Sequence, residues 1–205
     1  MKKLDSATIA TIEVAIRAIE KESSAEVVVD VRWYSGSYAH ADHRFAAIIA
    51  FAALLFVLFA PPTFAPWLVP FAVGLSYAAA LVLSRSSDLI RRLMTTRRER
   101  LANARMAAAA AFVERGVANT RRESGLLVLF SRLERRIEIV ADRGVLDAVP
   151  VLEWNQLLAP SRREAAGIEE LAATLQQLQS LLTRCLPVGA DDVNELMDGV
   201  RMGKQ

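Results

Sequence analysis

The sequence has a single cysteine, Cys185, and two histidines among its 205 residues. One cysteine excludes an intrachain disulfide framework, so a reducing compartment is permitted. A Gly-rich phosphate loop and a Gly-x-Ser-x-Gly nucleophile elbow are also absent, which leaves hydrolytic catalysis without its usual sequence signatures. The N-terminal segment lacks the continuous apolar core of a signal peptide, because acidic residues interrupt it. We therefore expect that segment to belong to the folded protein.

Charge is missing altogether from residues 45–84, which contain no Asp, Glu, Lys, Arg or His. Two apolar stretches, FAAIIAFAALLFVLFA and WLVPFAVGLSYAAALVLS, flank the turn sequence PPTFAP. As helices they would be roughly 24 and 27 Å long, close to the ~30 Å hydrocarbon core of a bilayer. The alternative is a buried hairpin in a soluble core, but a small domain rarely hides two helices that have no polar face. The pattern predicts a transmembrane hairpin that crosses the bilayer twice.

Arginine is concentrated just after this segment. Residues 85–105 contain seven arginines and only two acids, Asp88 and Glu99. Because cytoplasmic flanks retain Arg and Lys, this predicts an inner-membrane protein with both termini in the cytoplasm. The arginines expected to lie against anionic headgroups are Arg85, Arg91, Arg92, Arg97 and Arg98. No aromatic stacking platform accompanies them and the net charge is only +2, so a nucleic-acid partner is not predicted.

The segment before the hairpin predicts one helix and one strand. A helix beginning at Asp5 or Ser6 would run to about Glu22, with its isoleucines on one stripe. The alternation in AEVVVDVRW then predicts a strand with Val27, Val29 and Val31 on one face, and Val28, Asp30 and Arg32 on the other. About 40 residues bury too little apolar surface to fold alone, so this strand is expected to pair with strands that follow the hairpin.

The segment after the hairpin supplies those partners. It predicts an Ala-rich helix over residues 103–117, a buried strand over 125–130 and a half-buried strand over 136–141. The charges of Arg136 and Glu138 are expected on the solvent face of the latter strand. A short helix containing Trp154 and an amphipathic helix over residues 167–186 would follow. We expect the Ala-rich helix to lie on the sheet.

These elements predict one α+β domain that a membrane hairpin interrupts. Its small central sheet would be flanked by helices. The expected organisation is residues 1–44 for the first part of the domain, 45–84 for the hairpin, 85–105 for an Arg-rich juxtamembrane segment, 106–188 for the rest of the domain, and 189–205 for a loosely held polar tail.

Three stretches resemble the TPM domain family. GLLVLFSRLERRIEIVADRGV resembles that domain's central hairpin, and AIEKESSAEVVVDV resembles its opening helix and strand. LLTRCLPVGADDVNEL resembles its closing helix and Asn-Glu-Leu tail. The chain is most similar to bacterial TPM-domain membrane proteins in which paired membrane helices are inserted into the domain.

This resemblance implies an α/β sandwich and two kinds of function. Some relatives are described as acid phosphatases and some bind calcium, whereas others act in assembly without catalysis. Calcium-binding members typically carry Asp-Asn-Gly ahead of the buried strand, where this chain has Glu123-Ser124-Gly125. Glu123, at this position, and Asp142, at a strand end beside the expected loop of Glu123, are the candidate Ca²⁺ ligands. For Asp142 the alternative is a turn carboxylate that caps the next helix.

Three other groups of polar residues have a functional and a structural interpretation. His40 and His43, around Asp42, could share a helix face and bind zinc, or form the polar end of a membrane helix. Cys185 is either a nucleophile or a small buried side chain. Asp191, Asp192, Glu195 and Asp198 lack the spacing of a calcium loop, which favours a solvated tail.

The leading hypothesis is a membrane protein whose cytoplasmic TPM-like domain binds a protein partner or maintains a membrane complex. The alternative is a calcium-assisted phosphatase that uses Glu123 and Asp142. A third hypothesis is that the Arg-rich segment senses anionic lipid.

Overall fold

The computed structural model describes residues 6–60, 65–161, 167–188 and 200–202. In chain order the elements are α1 (Ser6–Glu22), β1 (Glu26–Arg32), α2 (Ala39–Phe59), α3 (Leu68–Ser86), α4 (Asp88–Leu93), α5 (Arg97–Glu114), β2 (Gly125–Ser131), β3 (Arg136–Ala141), α6 (Arg143–Ala148), α7 (Val151–Ser161), α8 (Ile168–Cys185) and β4 (Val200–Met202). The protein is a mixed α+β chain, as the fold-class prediction expected, and most of its elements are helices.

The chain divides into two compact units. The sheet unit comprises Met1–Ser35 and Leu101–Gln205, and the hairpin unit comprises Gly36–Arg100. The sheet unit is thus built from two separate lengths of chain, and the hairpin unit lies between them in sequence.

The sheet has the strand order β3-β2-β1-β4. β1 and β2 are parallel and pair from Glu26 opposite Gly125 to Arg32 opposite Ser131. β3 returns antiparallel to β2, and three residues of the tail form β4 beside β1. The prediction that the strand before the hairpin pairs with strands after it is confirmed. A parallel pair needs a long crossover, and here that crossover contains the whole hairpin unit.

One face of the sheet packs on α1 and α8. The isoleucine stripe predicted for α1 and the apolar face of the amphipathic helix α8 are buried at their centres, with Ile16, Ile19, Leu175 and Leu178 at 0% exposure. They join Val27, Val29 and Val31 of β1 in one apolar cluster, which confirms that these three valines share a face. The core therefore depends on strands and helices from both sides of the hairpin.

The other face of the sheet packs on α5. Ala107, Ala108 and Ala111 lie against Val28, Leu127 and Leu129, as predicted for an Ala-rich helix on a sheet. The helix begins at Arg97, six residues earlier than predicted.

The expectation that Arg136 and Glu138 face solvent is wrong. Arg136 is 3% exposed, and the Glu138 side chain is 18% exposed. Small alanine side chains let a helix approach its neighbour closely, so we attribute the burial to α5, whose alanines pack on this face. In a sheet with one open face, Arg136 and Glu138 would mark the side in contact with water. In this structure α5 covers that side.

The tail differs in part from the prediction. Val200–Met202 pair with Val29–Val31 and extend the sheet by one short strand, so this portion is not loosely held. The rest of the tail lies outside the described residues.

The hairpin unit contains two helices that are long and apolar enough to cross a membrane, α2 with 21 residues and α3 with 19. α2 ends at Phe59, just before the Pro61-Pro62 pair, because proline cannot continue a helix. Pro70 lies in the first turn of α3, where a missing N–H is tolerated. Large apolar side chains on both helices are uncovered, including Phe59 at 82% and Leu75 at 73% exposure.

The α1 stripe provides a stability test. Ile16→Ala, at a fully buried position, is expected to lower the free energy of unfolding by about 2–5 kcal/mol, because it removes packed methylenes and leaves a cavity. Val14→Ala, two residues away and 65% exposed, is the control and should change stability by less than about 0.5 kcal/mol. Denaturation of the detergent-solubilised chain, followed by circular dichroism, measures both. Equal effects of the two substitutions would contradict the described packing of α1.

Candidate functional site

The turn between β2 and β3 contains a buried polar network centred on Glu134, whereas Arg132 and Arg135 of the same turn are exposed. The carboxylate of Glu134 is fully buried and accepts the backbone N–H of Ser35 at 2.7 Å. It also accepts a hydrogen bond from the Ser131 hydroxyl, and the Ser35 hydroxyl donates to Ser131 Oγ at 2.7 Å. We call these three residues the Glu134 network. Both carboxylate oxygens of Glu134 serve as acceptors, so this one side chain links the backbone of Ser35 to the Ser131 hydroxyl.

Backbone and aromatic contacts tie the same turn to the end of β1. The Leu133 N–H donates to the Trp33 carbonyl at 2.9 Å, and the Arg132 guanidinium lies 4.5 Å from the centre of a Trp33 ring. Arg135 adopts φ 51°, the left-handed conformation that a tight turn requires. Ser35 is the last residue of the sheet unit before Gly36, where the hairpin unit begins. The turn therefore fixes the segment from which the chain leaves the sheet.

A second polar cluster lies on the α5 face of the sheet. Asp30 is fully buried, and Arg32 donates to its Oδ2 from Nε at 3.2 Å and from Nη2 at 3.0 Å. Arg115 approaches the same oxygen at 3.6 Å. Glu138 and Arg136 lie on β3, two strands away from Asp30 and Arg32. They pair with Leu129 and Ser131 of the intervening strand β2.

Burial raises the pKa of Glu138, while Arg105 and Arg136 act in the opposite direction. Opposite charges in this cluster offset the desolvation that each would suffer alone. The geometry favours a structural role, with acids and arginines neutralising one another under the helix.

The structure brings the loops of the candidate calcium ligands together through their backbones. The Glu123 carbonyl accepts the Gly144 N–H at 2.9 Å, and the Gly125 carbonyl accepts the Asp142 N–H at 2.8 Å. A Cβ at position 144 would lie 2.5 Å from the Arg122 carbonyl oxygen, so this close approach needs glycine.

Asp142 caps α6, and its carboxylate accepts the Arg143 N–H at 2.8 Å. Glu123 adopts φ 52°, in the left-handed region. Carboxylates from these two loops could each give one ligand to a hard cation. Within the described ranges, no group of three or more His, Cys, Asp or Glu residues forms a metal-binding cluster.

The two histidines contact different partners. His40 Nε2 lies 2.5 Å from Glu99 Oε1, and His43 Nδ1 lies 2.6 Å from the Tyr77 hydroxyl. These contacts fit polar side chains at the end of a helical hairpin. Cys185 is partly buried against the core. The acidic tail residues, Asp191, Asp192, Glu195 and Asp198, lie outside the described residues.

An ion pair that the sequence analysis missed joins the helices of the hairpin unit. Asp42, on α2, is 3% exposed and receives two hydrogen bonds from Arg91 of α4, both at 3.0 Å. The Ser84 hydroxyl of α3 donates to the same carboxylate at 2.7 Å. This bidentate geometry is the strong form of an arginine–carboxylate pair. A lone acid in the first turns of an apolar helix, with arginines downstream, is the sequence signal that could have revealed it.

The predicted membrane-surface arginines divide into two groups. Arg91 is held by Asp42, and Arg92 is half-buried, whereas Arg85, Arg97 and Arg98 are exposed. Arg100, also in this segment, is 7% exposed and donates to the carbonyls of Arg92 and Thr95 at 2.8 and 2.7 Å. Those contacts satisfy carbonyls that the end of α4 leaves without helical partners.

The comparisons with known proteins concern the fold. No protein-family model and no curated protein matches the chain. The structure is similar to the NMR structure of BA42 protein from the psychrophilic bacterium Bizionia argentinensis, with a TM-score of 0.59 and 15% sequence identity over 98% of this chain and 97% of that one. At this identity the similarity supports the mixed α+β fold and nothing about activity.

The Asp42–Arg91 pair generates a prediction. Asp42→Ala is expected to destabilise the hairpin unit by about 3–5 kcal/mol, because it leaves a half-buried guanidinium without its carboxylate. The double change Asp42→Leu with Arg91→Met should be less damaging, since it removes both charges. Unfolding in mixed micelles of a mild detergent and dodecyl sulfate measures each variant.

The control is the exposed Glu13–Arg17 pair of α1, whose side chains are 36% and 66% exposed. Replacing both residues with alanine should change stability by about 0–1 kcal/mol. A single Asp42→Ala variant as stable as the parent chain would contradict a structural role for the pair.

Proposed function

We propose that this chain is an integral inner-membrane protein whose two spans hold a TPM-like domain at the cytoplasmic surface, where the domain binds a protein partner or maintains a membrane complex. The observation that carries the proposal is the full-length pairing of β1 with β2. Because these strands flank the hairpin in sequence, both ends of the hairpin must lie on one side of any bilayer that it crosses.

Uncovered apolar surface supports membrane insertion. Only 17% and 11% of the most apolar windows of α2 and α3 are buried, whereas a core helix of a soluble protein would be mostly covered. Exposed apolar patches of this extent mark contact with a membrane or a protein partner. The arginines that flank the open end of the hairpin support a cytoplasmic location for both termini.

A second apolar surface, on the sheet unit, supports partner binding. Leu146 of α6 is 45% exposed, and Val151 and Leu152 at the start of α7 are 74% and 71% exposed. We call these three residues the α6–α7 surface. Exposed aliphatic side chains on two consecutive helices offer apolar surface that a protein partner could cover. A domain anchored at the membrane would stay close to other membrane proteins.

The TPM assignment rests on the resemblance of the flanking segments. The small sheet flanked by helices is the architecture that this resemblance implies. The resemblance also implies the alternative function, a calcium-assisted phosphatase. One observation favours that alternative: the backbone contacts that bring the loops of Glu123 and Asp142 together. Ca²⁺-dependent hydrolysis of p-nitrophenyl phosphate by the purified chain, lost in Asp142→Asn, would establish it.

The proposed topology is testable in cells. The chain should stay in the membrane pellet after alkaline carbonate extraction, and a reporter fused after Gln205 should be active only in the cytoplasm. The control is a fusion truncated within residues 61–66, which should place the same reporter in the periplasm. A periplasmic signal from the full-length fusion would reverse the orientation, and release by carbonate would contradict membrane insertion.

Partner binding is tested by in-cell crosslinking followed by purification in mild detergent. Leu152→Asp should abolish a specific crosslinked species, because it places a charge on the α6–α7 surface. Val14→Asp, at another exposed apolar position of the sheet unit, should leave that species unchanged. Equal yields from both variants would contradict a role for the α6–α7 surface.

A further inference from the structure

Two rows of side chains cross the α5 face of the sheet beside the turn between β2 and β3. Residues that pair on neighbouring strands carry their side chains on the same face, so the strand register defines both rows. The first row is Asp30, Leu129 and Glu138, and the second row is Arg32, Ser131 and Arg136.

Arginine is in excess around these rows. Asp30 is shared by two arginines, since Arg32 donates to its Oδ2 at 3.0 Å and Arg115 lies 3.6 Å from the same oxygen. The rows and the side chains that contact them include four arginines and three acids, namely Arg32, Arg105, Arg115, Arg136, Asp30, Glu134 and Glu138. These acids neutralise the arginines only in part. We call Asp30, Arg32, Arg115 and Arg136 the Asp30 cluster.

Three buried polar atoms of the Asp30 cluster have no hydrogen-bond partner among the residues that the structure describes. They are Asp30 Oδ1, Arg115 Nε and Arg136 Nε. Asp30 is fully buried and Arg136 is 3% exposed, so water does not hydrate these side chains freely. A buried charged group is costly unless it is paired and hydrogen-bonded. The cluster therefore fits a further group that accepts hydrogen bonds from its arginines and donates one to Asp30.

The small side chain of Ser131 separates the two arginines of the second row. Because neighbouring strands are about 4.8 Å apart, Arg32 on β1 and Arg136 on β3 are roughly 10 Å apart at the backbone. Both long side chains leave the same face of the sheet, and Ser131 fills little of the space between them. A single oxyanion can span a gap of this size with charge-assisted hydrogen bonds of about 2.8 Å on either side.

The burial of the cluster restricts the size of its ligand. Asp30 and Ser131 are at 0% exposure, which excludes a lipid headgroup or a peptide. Arg32 and Arg115 keep 17% and 25% of their side chains exposed, so a small ion can enter from their side. The ligand is therefore a small free anion.

The unpartnered acceptor of Asp30 restricts the chemistry of that anion. Sulfate and small carboxylates carry no proton at neutral pH, so they would place a second negative oxygen against Asp30 Oδ1. A phosphomonoester has a second pKa of about 6 and is mostly unprotonated as well. Inorganic phosphate keeps at least one P–OH group at neutral pH. It can accept hydrogen bonds from arginine and donate one to the carboxylate.

We propose that the Asp30 cluster binds one inorganic phosphate ion. The phosphate oxygens accept hydrogen bonds from Nε of Arg115 and of Arg136, and the P–OH group donates to Asp30 Oδ1. The bound ion balances the excess arginine and links the end of α5 to β3. This inference goes beyond the proposed function, because it uses neither the hairpin nor the candidate calcium ligands.

The test measures the binding of radiolabelled inorganic phosphate to the purified full chain in mild detergent by equilibrium dialysis. The parent chain should bind one phosphate and prefer it to sulfate by about tenfold or more, because only phosphate can donate to Asp30. Arg136→Met should lower the affinity for phosphate by about tenfold or more, since it removes a charged donor. Asp30→Asn should largely abolish the preference over sulfate, because an amide can donate to either anion.

Arg143→Met is the matched control, since Arg143 belongs to the sheet unit and 80% of its side chain is exposed. It should bind phosphate as the parent chain does. In phosphate-free buffer Arg136→Met should unfold at the same temperature as the parent or at a higher one, because it removes a buried charge. Phosphate should raise the unfolding temperature of the parent chain and not that of Arg136→Met.

Two results would overturn the phosphate site. The first is a parent chain without saturable phosphate binding, or one from which an equal concentration of sulfate displaces the phosphate, and this result does not depend on the folding of any variant. The second is full binding by Arg136→Met, or equal losses in Arg136→Met and Arg143→Met, which would show an adventitious ion only.

Discussion

The parallel pairing of β1 with β2 is the interaction on which the rest of this structure depends. Each of these strands alone would leave a row of backbone donors and acceptors without partners, and the seven-residue register between them removes that deficit at the centre of the sheet. The pairing also brings α1 over the same face as α8. A chain that separates β1 from β2 by a long apolar hairpin can make this sheet only if the hairpin returns to the side from which it started.

Buried charges form where separate parts of the chain meet. Glu134 joins the end of β1 to the β2–β3 turn, Asp30 joins β1 to the end of α5, and Asp42 joins α2 to α4. Each carboxylate is almost completely buried, and each has a hydrogen-bonding or ion-pair partner from a distant part of the sequence. Removing one partner from such a site lowers the free energy of unfolding by more than the intact pair adds to it. These residues therefore favour this arrangement of the chain over others more than they raise its stability.

Much of the fold was predictable because its core elements have strong periodicity. The isoleucine stripe of α1, the leucine stripe of α8 and the alternation in β1 each match the packing in the structure. The errors came from tertiary burial of polar residues. Arg136 and Glu134 resemble solvent-facing residues in a local pattern, and only the position of α5 and the loop at Ser35 makes them buried. The Asp42–Arg91 pair spans 49 positions, so the periodicity of a single element does not reveal it, and its sequence signal is the lone acid near the start of an apolar helix with arginines downstream. The backbone contact between the loops of Glu123 and Gly144 is a consequence of the antiparallel pairing of β2 with β3. The pattern of the strands does not indicate what the side chains of Glu123 and Asp142 bind.

The central claim is that two lengths of chain on either side of the hairpin build one sheet unit. Its most direct test is a continuous-wave electron paramagnetic resonance measurement on the full chain in membranes. In a Cys185→Ala background, nitroxide labels are placed at Tyr34 and Arg135, exposed positions beside the residue pairs Trp33–Leu133 and Ser35–Glu134. Dipolar broadening of the doubly labelled spectrum is the predicted result. A spectrum equal to the sum of the two singly labelled spectra would show that the segments do not meet, and would contradict the account.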